Sequence, residues 1–190
     1  MLPKGNMSGK YKTGEAVIAH FVTCTVVGWV DVFSREAYKD IVVKSLAYCQ
    51  LHKGMKLYAY VIMTNHLHLI IASNTNAISD IMRDFKKFTS KQILAAIIAN
   101  NGESRREWML NMFGFSGINN SANKEYQFWQ HEFHPILLDT FEKQQQRLLY
   151  LHQNPVRAGI VWQPQDYKYS SAIDYYTEIK DGLLCVEFLS

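Results

Sequence analysis

The chain has 190 residues and a formal net charge of +3, and 48% of its residues are hydrophobic. This balance excludes a disordered chain and a strongly cationic, histone-like protein, but it allows a local basic patch of the kind that binds nucleic acid. The three cysteines are widely spaced, form no Cys-x-x-Cys pair and suggest reduced thiols. The start of the chain lacks a signal-peptide pattern, and no run approaches the ~18 apolar residues of a membrane span. We therefore expect one domain over 1–190 in a cytoplasmic protein.

The first part of the chain alternates strand and helix patterns. β-Branched residues over 16–27 predict a strand, and Ser34 is the expected N-cap of a helix that Gly54 ends. Two further strands are predicted over 56–63 and 66–72, with a tight hairpin turn between them.

A long amphipathic helix is predicted over 77–99. Its apolar stripe consists of Ile78, Ile81, Phe85, Phe88, Ile93 and Ile97. Its polar side carries Arg83, Lys86, Lys87 and Lys91. These cations could neutralise nucleic-acid phosphates, and an ordinary solvated helix face is the alternative.

Residues 100–125 are turn-forming and polar, and we interpret them as an excursion from the domain, whose core spans about 16–175. Inside this excursion, 104–113 could form a short helix that buries Trp108, Met109 and Met112. An aromatic and apolar strand is predicted over 127–138.

The last predicted helix has an unusual polar side. Asp139 is its expected N-cap, and Pro155 should end it by Asn154, because proline disfavours α geometry in the preceding residue. Tyr150 falls almost opposite the core direction. Its neighbours on that side are Lys143, Gln146, Arg147 and, one turn later, Asn154. An ordinary amphipathic surface tyrosine is the alternative interpretation.

This order of elements predicts an α+β fold, a ferredoxin-like or RRM-like sandwich. Its mainly antiparallel sheet should carry helices packed on one face, followed by the C-terminal tyrosine-bearing helix. Such a fold hosts many functions and assigns none.

Two histidines stand out in the third predicted strand. His66 and His68 are separated by one leucine, so their side chains should project from the same face. Two adjacent imidazoles on a rigid strand can hold one divalent cation. A surface pair without metal is the alternative.

Two segments resemble one protein family. The segment Tyr60-Val-Ile-Met-Thr-Asn-His-Leu-His-Leu-Ile-Ile71 is similar to the His-hydrophobic-His (HUH) motif of REP-associated tyrosine transposases. The segment that begins at Tyr150, YLHQNPVRAGIV, is similar to the YIHxNPVRAGLV segment of the same group. The blocks at 128–130 and 167–171 resemble further family blocks in the same order. Thr64 departs from the family, since many relatives have proline there.

The resemblance implies an active site divided between a strand and a helix. It implies that His66 and His68 bind a metal, Mg or Mn, and that Tyr150 is the nucleophile. Asn154 matches the position of a third polar metal ligand, and Gln153 or His152 could compete for that role. Arg147 and Arg157 join the candidate DNA contacts. Imidazole ligands alone would favour zinc, nickel or copper over magnesium.

The resemblance implies a metal-dependent transposase that cleaves and rejoins single-stranded or hairpin DNA through a 5′-phosphotyrosine. A non-catalytic, RRM-like module that binds single-stranded nucleic acid is the alternative. A phosphohydrolase that uses the histidines and water is another. A homodimer and a monomer are both compatible with the sequence, so the active site could form within one chain or between two.

Overall fold

A computed structural model describes residues 18–118, 125–131 and 133–189. Within these ranges the chain forms four strands and five α-helices. In chain order they are β1 (Ala19–Thr25), α1 (Glu36–Lys53), β2 (Met55–Ile62), β3 (His66–Ser73), α2 (Ile78–Ala99), α3 (Arg106–Ile118), β4 (Ile136–Leu138), α4 (Phe141–Arg157) and α5 (Ala172–Tyr176). The first residues of the predicted strand over 16–27 and part of the excursion over 100–125 lie outside the described residues.

The four strands form one sheet in the order β2-β3-β1-β4, and every neighbouring pair is antiparallel. This arrangement confirms the predicted α+β sandwich. The central pair is β1 with β3, and its register sets Thr23 opposite His68. The histidine strand is therefore an inner strand, with hydrogen-bonded neighbours on both sides.

The two faces of the sheet carry different helices. On one face, Tyr150 of α4 packs its ring against Phe21. On the other face, Lys86 of α2 lies close enough to Cys24 for its charge to oppose the rise in the pKa of the buried thiol. Phe21 and Cys24 are an odd number of residues apart on β1, so they point to opposite faces. The helix α1 packs on α2, where Lys53 and Asp84 form an ion pair of 3.1 Å. The sheet thus lies between α1 and α2 on one side and the tyrosine helix on the other.

The helix α1 ends where it was predicted to end, but its N-cap differs from the prediction. Gly54 follows the helix with a φ of 66°, the left-handed conformation that glycine adopts readily, as predicted. The predicted N-cap at Ser34 is wrong, because Arg35 occupies that position. Ser34 instead lies in a short 3-10 turn over Val32–Ser34.

The helix α2 forms as predicted, whereas α3 runs over Arg106–Ile118 instead of the predicted 104–113. Each of the two helices turns one predicted core aromatic residue outward. Phe88 is 54% exposed, because the buried stripe passes through Thr89, which accepts a 3.0 Å hydrogen bond from Trp129 Nε1. Trp108 is 48% exposed, while Met109 and Phe113 face the core. The spacing of apolar residues predicted an apolar stripe on each helix, but it could not fix the rotation of the helix about its axis.

The predicted strand over 127–138 is interrupted. Trp129 forms an isolated antiparallel bridge with Val26, and pairing with β1 resumes only at Ile136. Pro135 stands between these two segments and has no N–H to donate to a ladder. Trp129 and Phe128 are buried.

The tyrosine helix begins and ends later than predicted. Its N-cap is Thr140, whose side chain accepts a hydrogen bond from the Lys143 amide, and Asp139 pairs with the Lys143 amine instead. The helix runs through Pro155 to Arg157. Buried contacts outweigh the local penalty of the proline, since Pro155 and the preceding turn are buried against the domain.

The C-terminal segment covers the outer edge of β2. Ser170 bridges to Val61, the Tyr167 hydroxyl donates to the Ile62 carbonyl at 2.7 Å, and the amide of Glu187 donates to the Leu57 carbonyl at 2.9 Å.

None of the helices in the described ranges combines the length and apolar character that a membrane span requires.

Candidate active site

The two histidines project side by side from β3, as their spacing predicts. The ring centroids of His66 and His68 are 4.8 Å apart. On the neighbouring strand β1, Thr25 lies opposite His66 and Thr23 opposite His68. Because β3 is an inner strand, its neighbours on both sides hold its backbone in place. The backbone therefore fixes the positions of the Cα atoms that carry the two rings.

A neighbouring side chain forms a hydrogen bond with one nitrogen of each ring. Thr23 Oγ1 lies 2.8 Å from Nδ1 of His68, and Asn65 Oδ1 lies 2.7 Å from Nδ1 of His66. The amide oxygen of Asn65 can only accept, so His66 carries its proton on Nδ1 and keeps a lone pair on Nε2. Nε2 of His68 is buried and has no hydrogen-bond partner in the described structure. These contacts orient the rings in the manner typical of metal-binding histidines.

Burial keeps both rings neutral. Burial, together with the nearby charges of His66 and Arg147, lowers the pKa of His68 to about 3. Burial also lowers the pKa of His66. A neutral imidazole is the form that binds a metal ion, so the pair is ready to act as a ligand at neutral pH.

Tyr150 comes from α4 and lies against the histidine face of the same chain. Its ring centroid is 5.4 Å from that of His68 and 6.0 Å from that of Phe21. The structure therefore brings the predicted nucleophile and the predicted metal ligands together within one subunit.

Two arginines flank the tyrosine. The guanidinium of Arg157 lies 5.4 Å from the centre of the Tyr150 ring, and that of Arg147 lies 6.0 Å from it. Arg147 also lies 5.1 Å from the centre of the Phe21 ring. These cations place positive charge beside the phenol, in a position suited to an anionic ligand.

Two of the candidates for a further metal ligand, Asn154 and His152, differ in their surroundings. Asn154 is half-buried one turn after Tyr150, and its amide donates to the Tyr150 carbonyl at 2.9 Å. His152 is fully buried, with Nε2 2.9 Å from Ser171 Oγ and its ring between Tyr175 and Tyr176. His152 thus faces the C-terminal segment, not the histidine pair.

The predicted cations of α2 lie on the other side of the sheet. Lys86 donates to the Gln130 carbonyl at 3.0 Å, and Arg83 pairs with Asp80 and Asp84. Lys87 and Lys91 are exposed on the same helix. The fold therefore separates these four residues from Tyr150, whereas it brings Arg147 and Arg157 to it.

Thr23, Asn65 and Phe21 also belong to the site, and local sequence patterns did not identify them. Thr23 and Phe21 could be found only from the register of β1 on β3, which lies beyond short-range patterns. Asn65 carried a signal, because it directly precedes His66 in a tight turn and has a hydrogen-bonding side chain.

The side chains fit a divalent cation that needs further donors. The orphaned Nε2 of His68 and the oriented ring of His66 supply two nitrogen donors. Among the described residues, no group of three or more His, Cys, Asp and Glu side chains could hold a metal ion. A cation here would have to complete its coordination with an amide, with water or with the substrate.

Comparison with known proteins gives the family. The family model described as "Transposase IS200 like" matches residues 15–116, which is more than half of the chain. The chain belongs to the IS200-like transposase family. No curated protein matches it at a significant level.

One solved structure shows that its fold is shared by this chain. The chain is similar to a REP-associated tyrosine transposase solved bound to a REP hairpin, with a TM-score of 0.59 and 16% identity over 96% of this chain and 92% of that one. At this identity the likeness shows the fold alone. A crystal structure from Deinococcus radiodurans R1, described as a putative transposase, matches with a TM-score of 0.44 and 15% identity over 76% of this chain and 97% of that one. A score of that size carries no weight for the fold or the function.

Proposed function

We propose that this transposase-family protein cleaves and rejoins single-stranded DNA, with Tyr150 as the nucleophile and His66 and His68 as metal ligands. One observation carries the proposal. The Tyr150 ring lies 5.4 Å from the His68 ring, although 82 positions of sequence separate the two residues. One place on the face of the sheet thus brings together a helix tyrosine, a buried imidazole with a free nitrogen, and two arginines.

Tyr150 attacks the scissile phosphorus in the proposed reaction. The bond between the phenolic oxygen and phosphorus forms, and the bond from phosphorus to the 3′ oxygen breaks. The phenol loses its proton and the departing 3′ oxygen gains one. The product is a 5′-phosphotyrosine and a free 3′-hydroxyl, and attack by a 3′-hydroxyl on the phosphotyrosine reverses the reaction and joins strands.

The remaining side chains hold and orient the strand. Arg147 and Arg157 neutralise the phosphodiester, which would otherwise repel the phenol. Thr23 and Asn65 hold the imidazoles with Nε2 free. A divalent cation held by His66 and His68, Mg or Mn by family resemblance, would polarise the scissile phosphate. Asn154 is the proposed third ligand.

The substrate that we propose is hairpin-bearing single-stranded DNA. The structurally similar REP-associated transposase was solved on such a hairpin. The cations Arg83, Lys86, Lys87 and Lys91 on α2 could serve only a more distant part of such a substrate, because the sheet separates them from Tyr150.

The test is capture of the covalent adduct. The full chain is incubated with hairpin-bearing single-stranded oligonucleotides that have randomised flanks and a 3′ fluorescent label, in the presence of Mg²⁺ or Mn²⁺. We expect a labelled protein band that survives denaturing electrophoresis and disappears in EDTA. Tyr150→Phe should abolish the band, and so should the double variant His66→Ala with His68→Ala.

Tyr48→Phe is the matched control, since Tyr48 is an exposed tyrosine on α1. An adduct formed by Tyr150→Phe would refute the assigned nucleophile. Cleavage without any adduct would indicate a water-dependent phosphohydrolase. DNA binding that ignores both EDTA and Tyr150, with no cleavage, would indicate a non-catalytic module.

A further inference from the structure

The turn after β1 presents an exposed tryptophan beside the histidine pair. Trp29 is 60% exposed, and its ring centroid lies 6.0 Å from that of His66 in an edge-on arrangement. It lies on the 3-10 turn Val27–Trp29, which connects β1 to the helical layer. The ring therefore stands next to the candidate active site with most of its surface open to solvent.

The backbone holds Trp29 in an unfavourable conformation. Its φ is 56°, and it is the one residue other than glycine with a positive φ among those that the structure describes. Bulky side chains rarely adopt this conformation, and such strain persists only where the surroundings enforce it. Since most of the ring is exposed, burial of the indole does not explain the conformation.

The surroundings that enforce it lie on both sides of the turn. Val26, Val27 and Val30 are buried, so the turn is anchored in the core. The Trp29 amide donates to the Val26 carbonyl at 3.1 Å, and the Asn65 side chain donates to the Trp29 carbonyl at 3.3 Å. The backbone of the turn that carries the indole is thus anchored on both sides.

Asn65 links this turn to the metal-ligand candidate. Its Nδ2 holds the Trp29 carbonyl, and its Oδ1 holds Nδ1 of His66. One amide therefore links the Trp29 backbone and the His66 imidazole. Such a link is expected if both rings contact the same substrate, because their spacing then matters.

We propose that Trp29 is a stacking platform for an unpaired nucleobase of the strand that is cut at Tyr150. A single strand offers phosphates and flat bases in alternation. Arg147, Arg157 and the histidine pair suit the phosphate, and the exposed indole next to His66 suits the neighbouring base. Stacking is tolerant of base identity, so Trp29 would contribute affinity and register more than sequence choice. This inference rests on the proposed function, because it assumes that single-stranded DNA lies across the site.

Trp29→Gly is the decisive variant. It removes the ring and also relieves the strain, since glycine adopts a positive φ readily. A merely structural tryptophan would lower the melting temperature when removed, whereas a stacking platform should lower DNA affinity without lowering the melting temperature. Trp29→Phe keeps an aromatic face and should retain most of the affinity.

Tyr48→Ala is the matched control. Tyr48 is also an exposed aromatic residue packed against a histidine, His52, with ring centroids 4.4 Å apart, but it lies on α1. Its loss should leave DNA binding unchanged.

Binding is measured separately from cleavage. Fluorescently labelled single-stranded oligonucleotides are selected by retention on the Tyr150→Phe protein, and Kd is then measured by anisotropy in that background. We expect Trp29→Gly to weaken binding roughly 5- to 150-fold, the range for loss of one base–aromatic stack. Single bases of the oligonucleotide are then replaced with abasic sites, one at a time. In the parent, which is the Tyr150→Phe protein with Trp29 intact, we expect replacement at one particular position to weaken binding, and that loss should vanish in Trp29→Gly.

The two proposals fail differently. Binding by Trp29→Gly within twofold of the parent, or an abasic penalty that persists in it, would overturn the stacking role even if the adduct forms. A missing adduct together with the expected binding losses would overturn the proposed cleavage and leave the stacking platform supported. Absence of single-strand binding by the parent would overturn both.

Discussion

Thr23 is the residue on which the orientation of His68 depends. The hydrogen bond between Thr23 Oγ1 and Nδ1 of His68, 2.8 Å long, leaves Nε2 as the nitrogen that a metal would meet. Without this partner the ring could rotate about its Cβ–Cγ bond, or carry its proton on the wrong nitrogen. The same reasoning applies to Asn65 and His66.

Thr23→Val removes the hydroxyl and keeps both the shape and the β-branched character of the side chain. We expect Mn²⁺ affinity to fall about 10- to 100-fold, as is usual for loss of an outer hydrogen bond to a metal-binding histidine. Isothermal titration of the full chain with Mn²⁺ measures this directly. Thr25→Val on the same strand is the control, and equal affinities of the two variants would contradict the orienting role.

At the scale of elements, the tyrosine helix is fixed to the sheet by a buried polar contact. Nε2 of His152 lies 2.9 Å from Ser171 Oγ, and that oxygen also accepts the Tyr60 amide of β2 at 3.0 Å. Three separate segments, α4, β2 and the start of α5, therefore meet at one hydroxyl. Burial lowers the pKa of His152 to about 4, so this histidine is neutral at physiological pH.

Ser171→Ala should destabilise the domain by about 1–3 kcal/mol, because it leaves the Tyr60 amide and the His152 ring without a buried partner. For a chain of this size, each kcal/mol lowers Tm by roughly 2–4 °C. Thermal unfolding followed by circular dichroism gives the shift. Ser73→Ala removes a serine that also accepts backbone amides, but in an exposed turn, and its Tm should change less; the reverse order would count against the contact.

Elements with a strong local pattern could be predicted from the sequence, and those set by tertiary contacts could not. The histidine pair followed from the two-residue period of a strand, and α2 from its long apolar stripe. Pro155 gave a misleading signal, because burial of the surrounding turn outweighs its local penalty. The break in the strand over 127–138 has a local cause in Pro135, but the position where pairing resumes depends on β1.

The site shows the same division. His66, His68 and Tyr150 stood out through spacing, polarity and family resemblance. Their meeting within one chain depends on which face of the sheet α4 covers. Trp29 had no sequence signal, since its role rests on a positive φ and on a contact across 36 positions.

At the scale of the whole molecule, the arrangement in one subunit predicts that the site is complete in cis. Tyr150 lies beside His68 of its own chain. A mixture of the Tyr150→Phe protein with the His66→Ala, His68→Ala protein should therefore form no covalent adduct with single-stranded DNA. Adduct formation by the mixture, measured against each protein alone, would show instead that the helix of one chain serves the histidines of another.

The covered edge of β2 has a consequence for how copies of the chain can meet. An open strand at the end of a sheet invites pairing with another molecule and is a common start of aggregation. The segment that includes Ser170 and Glu187 occupies the β2 edge. The opposite edge is β4, which is only three residues long. Among the described strands, neither edge of the sheet thus offers a long template for another strand. The C-terminal segment that anchors the tyrosine helix therefore also disfavours self-association by strand addition.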